Sequence, residues 1–450
     1  MGEGTAATAS PPGLGALAVE QLQRLIRADT VNPPGNERPV QEQTAALLSD
    51  AGFECELLEA QPGRANLVAR LRGEEDGPTL TLLSHVDTVK ADREEWSRDP
   101  WGGEHVDGWI WGRGALDMKG QVATELAACL ELGRSGWRPR GELMLVITCD
   151  EETGGELGAR WLCEQHAGKV RTDYVLNEGG GSAFELGGRR HYTLAVGEKG
   201  IMRCLVRTSG RAGHASLPKI GENALLKLAP LVARLAEQPP REPTEEGVEF
   251  LGALYGEEFE GAEGIERGLE RLRAEEPLLA MYLAEPILGA TLTPTRISAS
   301  EKANVIPSAA EVLIDCRVPP GKDTDWARRR IEAVLGEGDY ELEFTETVVG
   351  NRSPTESPLT DAIRAWLADA DPGAELVPIA MPGFSDCRWF REAFGSAAVY
   401  GFWPHRAIPL LEAAPLIHGA DERVPVADIE LSAGFFFDAA RRMLGQEARS

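Results

Sequence analysis

Thr148-Cys149-Asp150-Glu151-Glu152-Thr153-Gly154-Gly155 is the stretch around which the rest of the chain is organised. Ahead of it runs Glu142-Leu143-Met144-Leu145-Val146-Ile147, a short and mostly apolar segment of the kind a buried strand shows. Three carboxylates then arrive together, followed by a glycine turn. Like charges this close cannot all stay ionised and unpaired at low cost. A cation among them answers the crowding, and a metal ion is the strongest candidate. A solvated acidic turn is the other reading, since acidic turns are common in a chain of formal net charge -26.

Composition narrows the class. A chain of 450 residues is too long for one small core, so two domains are expected. Hydrophobic content of 42% and charged content of 26% fit an ordinary globular protein. The negative charge repels nucleic acid and anionic membrane, so neither is expected as a partner. Seven cysteines are scattered without paired spacing, which points to reduced thiols in a cytoplasm and argues against a thiolate zinc site. Met1 to Pro12 lacks the basic start and apolar core of a signal peptide. No apolar run approaches bilayer length.

Working outward from the acidic turn, the same grammar recurs. Thr79-Leu80-Thr81-Leu82-Leu83-Ser84 reads as a buried strand that delivers His85 and Asp87 at its C-terminal end, where open α/β sheets place their sites. Trp111-Gly112-Arg113-Gly114-Ala115-Leu116-Asp117 is a glycine-rich turn before a helix expected at Gln121 to Leu132. The helix N-terminus would help hold the Asp117 carboxylate. Tyr174-Val175-Leu176-Asn177 is followed by Glu178 and glycines, and Ile417-His418-Gly419 precedes a terminal helix expected at Val426 to Leu444. Strand and helix alternate, which implies an α/β fold with a mainly parallel sheet covered by helices. From about Gly197 the pattern changes. Gly200 to Thr208 alternates apolar and polar residues like an antiparallel strand. Strands at Thr295 to Ser300 and Ala310 to Val318, with helices at Ala224 to Glu237 and Asp325 to Leu335, make a smaller α+β domain over about 197–350. Within it, residues 239–286 are acidic and look like an insertion. The larger domain, which carries the acidic turn, is then 1–196 together with 351–450.

Two imidazoles and several carboxylates at the ends of strands form a ligand set suited to zinc, and also to cobalt or manganese. One carboxylate between two ions is the usual bridge of a two-metal hydrolytic site. Taken singly, His85 or His418 is more readily read as a structural histidine, and it is the repetition across independent loops that makes coincidence a poor account. His105, His166 and His191 lack such context and are expected to be surface or packing residues.

The motifs Ser84 to Val89, Trp111 to Gly120, Asp150 to Gly155, Asn177 to Gly179, Gly213 to Ser216, Asn304 to Pro307 and Ile417 to Pro425 come in one order along nearly the whole chain. In this the chain resembles the zinc amidohydrolase family of aminoacylase, acetylornithine deacetylase, succinyl-diaminopimelate desuccinylase, carboxypeptidase G and carboxypeptidase S. The resemblance implies a zinc-exopeptidase-like catalytic domain and a ferredoxin-like lid and dimerisation domain, two zinc ions, and a homodimer. It implies that Asp117 bridges the ions, that His85 and Glu178 complete one, and that Glu152 and His418 complete the other. Asp87 would fix the His85 tautomer. Glu151 would move the proton from the attacking water to the leaving amine. His214 would stabilise the oxyanion in the partner subunit's site, although it also reads as a plain turn residue. Asn304 and Arg388 would hold the substrate carboxylate. Asp150 has no assigned role.

Two departures stand out. The family usually shows Gly-Gly-Thr-Asp where this chain has Gly383-Phe384-Ser385-Asp386, which changes the substrate pocket rather than the chemistry. The 239–286 insertion resembles the longer carboxypeptidase S-like proteins. The expected activity is hydrolysis of an amide bond next to a free carboxylate, in an N-acyl amino acid or a short peptide. Glu178 leans this towards deacylation, because many peptidases of the family carry Asp there. A dipeptidase or aminopeptidase is the alternative, and a catalytically dead binding protein on the same fold is the reading from another class.

Overall fold

The computed structural model of the chain describes residues 11–445. The expectations for Met1 to Ser10 lie outside the described residues. Two compact units are present. The first comprises the described residues up to Val196, Ser353–Pro378 and those from Phe384 on; the second comprises Gly197–Arg352 with Ile379–Gly383.

The first unit is built on a mixed sheet of nine strands among the described residues. Its centre is four parallel strands in the order Arg140–Thr148, Glu75–His85, Tyr174–Asn177 and Ala398–Gly401. One flank is the antiparallel pair Glu54–Glu59 and Ala65–Arg72; the other is Arg189–Glu198, antiparallel to Ala398–Gly401, with its hairpin partner Ala183–Leu186 and the outermost strand Glu375–Met381. The parallel character read from the sequence therefore belongs to the middle of the sheet. Hairpins join Glu54–Glu59 to Ala65–Arg72 and Ala183–Leu186 to Arg189–Glu198, since antiparallel neighbours need only a short turn.

Strand alternation sorts the side chains into two cores. Leu80, Leu82, Leu143, Leu145 and Ile147 join the larger core with the helices Leu14–Ile26, Lys119–Arg134, Pro358–Ala370 and Val426–Leu444. Leu83, Met144, Val146 and Val175 face the opposite core, with Ala159, Leu162 and Phe390. Leu82 and Leu83 are both fully buried, one on each face. A fully buried side chain of this kind contributes roughly 1.5–3 kcal/mol. This two-sided burial fixes the register, and the register fixes where the strands end. His85 lies opposite Thr148, and Leu82 lies opposite Leu176. Parallel strands in this register deliver their following loops to one edge of the sheet.

The second unit is a four-stranded antiparallel sheet in the order Thr291–Ser298, Ala309–Val318, Gly200–Ser209, Glu341–Val348. Met202, Cys204 and Val206 are fully buried on one face with Leu228 and Ile331 of the helices Ala224–Arg234 and Thr324–Leu335. On the other face Arg203 pairs with Asp315 and Glu346, and Arg207 with Glu311 and Glu343. Residues 239–286 are more than an acidic surface. They form the helices Glu245–Tyr255 and Gly261–Glu275 and short turns after them, burying Phe250, Leu251, Phe259 and Leu269.

Candidate metal centre

The sheet edge of the first unit gathers the acids and imidazoles. His85 is the last residue of its strand, and its ring is almost fully buried. Its Nε2 lies 3.2 Å from Asp117 Oδ1, 3.7 Å from Glu178 Oε1 and 3.9 Å from Glu151 Oε2. Its Nδ1 lies 3.1 Å from the Asp87 carbonyl oxygen and 3.4 Å from Asp87 Oδ1. A proton on Nδ1 satisfies those oxygens and leaves the Nε2 lone pair directed at the acids, the tautomer a ligand needs.

Across the centre, His418 Nε2 lies 3.1 Å from Asp117 Oδ2 and 3.1 Å from Glu152 Oε2. Asp117 thus turns one carboxylate oxygen towards each imidazole. Two ligand groups result, His85 with Glu151 and Glu178, and Asp117 with Glu152 and His418, the donor atoms of each lying within 4.8 Å of one another.

The electrostatics test whether cations fit. Burial disfavours ionised Asp117, yet His418 and His85 outweigh it and hold the carboxyl below its usual range. Asp117 and Glu152 in turn raise His418 to about 10. Burial alone would lower His85, but Asp117 and Asp87 hold it well above its ordinary value. Two imidazoles do not balance four carboxylates, and the excess falls on the remaining acids. Burial, and then the charge of Glu178, push Glu151 well above the carboxylate range; burial and Asp117 do the same to Glu178. A divalent cation in each group removes that excess, and mixed imidazole and carboxylate donors suit a borderline ion. The residues present fit a two-metal centre.

The acidic turn is held from behind by Asp87 and by three residues that the sequence did not single out, Asn32, Arg64 and Glu37. Asp87 accepts the backbone N–H groups of Glu151 and Glu152, each at 3.2 Å, so it orients the acids as well as His85. Asn32 Nδ2 donates to Asp87 Oδ2 at 2.9 Å and to Asp150 Oδ1 at 3.2 Å. Asp150 adopts a left-handed backbone, φ 73°, which a non-glycine residue holds only with support. Arg64 Nη2 at 3.3 Å and the Leu157 N–H at 3.0 Å supply it, and Glu37 fixes Arg64 through two hydrogen bonds. Asp150 therefore anchors the turn. Gly155 closes it, with φ 73° and a Cβ position only 3.0 Å from Asp386 Oδ1. Thr148 Oγ1 donates to Asp386 Oδ2 at 2.6 Å, tying the residue ahead of the helix Cys387–Ala393 to the base of the turn.

The remaining candidates sit as follows. Arg388 lies on the short helix Cys387–Ala393 of the first unit, its guanidinium 4.6 Å from the Trp389 ring centre and Nη2 3.4 Å from Glu392 Oε2. His214 and Asn304 both belong to the second unit, and the fold brings their motifs together: Gly213–His214 pairs with Val305–Ile306, and the Ala215 N–H donates to the Asn304 carbonyl at 3.0 Å. The His214 ring is exposed, with Nδ1 2.8 Å from Ser216 Oγ. His191, expected to be a packing residue, is buried and stacks on Phe184 at 5.3 Å.

Known proteins carry the same plan. Residues 81–442 match peptidase family M20/M25/M40. The chain is 27% identical over 412 residues to a succinyl-diaminopimelate desuccinylase of Cereibacter sphaeroides, covering 90% of this chain and 93% of that one. Among solved structures, an M20 family metallo-carboxypeptidase from Sulfolobus solfataricus superposes with a TM-score of 0.70 at 18% identity, covering 95% of this chain and 98% of that one. Human carnosine dipeptidase 1 superposes with a TM-score of 0.64 at 18% identity, covering 96% of this chain and 100% of the other. No helix among the described residues is long and apolar enough to cross a membrane. By that match over residues 81–442 the chain belongs to peptidase family M20/M25/M40 and is a hydrolase of amide bonds.

Proposed function

We propose that the centre holds two zinc ions, with cobalt or manganese as substitutes, and cleaves the amide bond of an N-acyl amino acid beside its free carboxylate. The observation that carries the proposal is Asp117, whose two oxygens face His85 at 3.2 Å and His418 at 3.1 Å. His85, Glu178 and one Asp117 oxygen would hold one ion; Glu152, His418 and the other oxygen would hold its neighbour. Bound there, the ions would acidify a water and polarise the scissile carbonyl.

The chain's own residues do the rest. Glu151 takes the proton of the attacking water and passes it to the leaving nitrogen; its raised pKa, caused by burial and Glu178, suits a group that must hold that proton in transit. Glu151 and Glu178 both stand near His85, so the division between base and ligand follows the resemblance rather than distance. Asp87 holds the His85 ring and the Glu151 backbone. Asn304 and Arg388 grip the substrate carboxylate, and His214 donates to the carbonyl oxygen as it gains charge, at the centre of a partner subunit. The unpaired outer edge of Thr291–Ser298 and the exposed Leu226 and Ile297 of the same unit are compatible with such a homodimer. Seven cysteines without a disulfide suit a cytoplasmic setting.

Deacylation is preferred to peptide cleavage because the similar protein named above is a desuccinylase and because Glu178 stands where many family peptidases carry Asp. The test is a screen of N-acetyl and N-succinyl amino acids against free dipeptides with the zinc-loaded protein. Turnover of acylated amino acids is expected. Turnover of free dipeptides alone would replace this reading with a dipeptidase.

A further inference from the structure

We infer that Arg113 and Glu422 are positioning residues that set the spacing between Asp117 and His418, and so the affinity of the Asp117, Glu152 and His418 group for its ion. The inference deepens the two-metal reading and rests on it.

The pair is buried: Glu422 is fully so and Arg113 is 2% exposed, with Arg113 Nη1 donating to Glu422 Oε2 at 2.6 Å. Glu422 grips the loop that carries Asp117. Its Oε2 accepts the Gly114 N–H at 3.0 Å, and its Oε1 accepts the N–H groups of Leu116 at 2.6 Å and of Asp117 itself at 3.0 Å. Arg113 grips the loop that carries His418. Its Nη2 donates to the His418 carbonyl at 3.2 Å and to the Gly419 carbonyl at 2.9 Å. Each member of the pair therefore comes from one ligand loop and holds the backbone of the other beside its ligand. The antiparallel pairing of Trp111 with Arg423 brings the two loops side by side.

The need for this device lies in His418. Its side chain is 51% exposed, whereas that of His85 is 1% exposed. Packing fixes the His85 ring and cannot fix the His418 ring. The His418 backbone is also left-handed, φ 59°, a conformation that persists in a non-glycine residue when the surroundings hold it. Anchoring the carbonyl of His418 and the amide of Asp117 to one ion pair does so. A buried ion pair is weak evidence for stability in itself, and its best-attested use is to fix register.

Calorimetric titration of chelator-stripped protein with Zn2+ tests this in the wild type, Glu422→Gln and Arg113→Lys. The wild type should bind two ions. Both variants should show one site weakened about 10–100-fold, the effect typical of residues that orient ligands, with the other site unchanged. Arg113→Lys keeps the charge but lacks the second arm for the two carbonyls, so its loss should be the smaller. In both variants kcat should fall while KM stays near the wild-type value. Two sites of wild-type affinity in the folded variants overturn the inference, as does equal weakening of both sites. If Glu422→Gln does not fold, Arg113→Lys decides by the same criterion. A wild type that binds no zinc overturns the two-metal reading and this inference with it.

Discussion

Glu151 and Glu178 both stand near the same imidazole nitrogen, at 3.9 and 3.7 Å, and are chemically alike. Substitution separates them. Glu151→Gln should keep both ions and lose about 10²–10⁴-fold in kcat, the range for removal of a general base. Glu178→Gln should lose metal first. Metal content measured beside kcat decides, and loss of an ion in Glu151→Gln with none in Glu178→Gln would exchange the two roles. At this scale the sequence was informative where a residue's meaning is local. His85, Asp117, Glu151, Glu152, Glu178 and His418 each follow an apolar run or sit in a glycine turn, and the fold draws them together. Asp150 was illegible because its meaning is its partners. Asn32, Arg64 and Leu157 reach it from three separate segments, and no spacing encodes that.

The helix Lys119–Arg134 carries a second consequence of burial. Glu125 lies within it, fully buried, accepting from Ser84 Oγ at 2.7 Å and Gln121 Nε2 at 2.8 Å. Burial raises its pKa from 4.5 to about 8. Between those values the unfolded chain is ionised at this position while the folded chain keeps the proton. The folded state binds more protons there, so stability from this group falls as pH rises, by at most about 1.4 kcal/mol per unit. Glu125→Gln removes the slope, and its melting temperature relative to the wild type should climb from pH 5 to pH 8. A difference that stays constant over that range would mean that Glu125 is ionised in the fold. Among the elements themselves, those with two-sided apolar runs or clear amphipathic faces were legible, and the terminal helix Val426–Leu444 matches its expected bounds. The strand Glu341–Val348 was missed because it alternates strictly in burial but not in sequence: five of its eight residues are charged or hydroxylated, three of them in a row, and it lies at a sheet edge. The helix Glu245–Tyr255 was missed inside an acidic tract, although Thr244 caps its start and Gly256, φ 65°, ends it. The antiparallel flanks depend on which strands pair, and hydrophobic pattern alone does not say that.

For the molecule as a whole, cations and fold are coupled. Ions that bind the folded centre and not the unfolded chain should stabilise it by about 4 kcal/mol per site at free concentrations a thousand times Kd. Chelation should therefore lower the melting temperature and added zinc restore it; a transition indifferent to both would remove the cations from the centre. His214 belongs to the second unit, and its proposed work is on substrate. His214→Ala should lower kcat while leaving metal content and its chelator-sensitive melting unchanged, and loss of zinc in that variant would make it a ligand instead. The division of the chain into units has a last implication. The second unit is a nearly continuous stretch, Gly197–Arg352, while the first is split around it and resumes at Ser353. A ribosome releases most of the second unit before it has made Ala398–Gly401, the fourth parallel strand, or the loop that ends in His418. The acids at 117, 151, 152 and 178 are thus synthesised well before their last imidazole partner, and the full ligand set waits for His418.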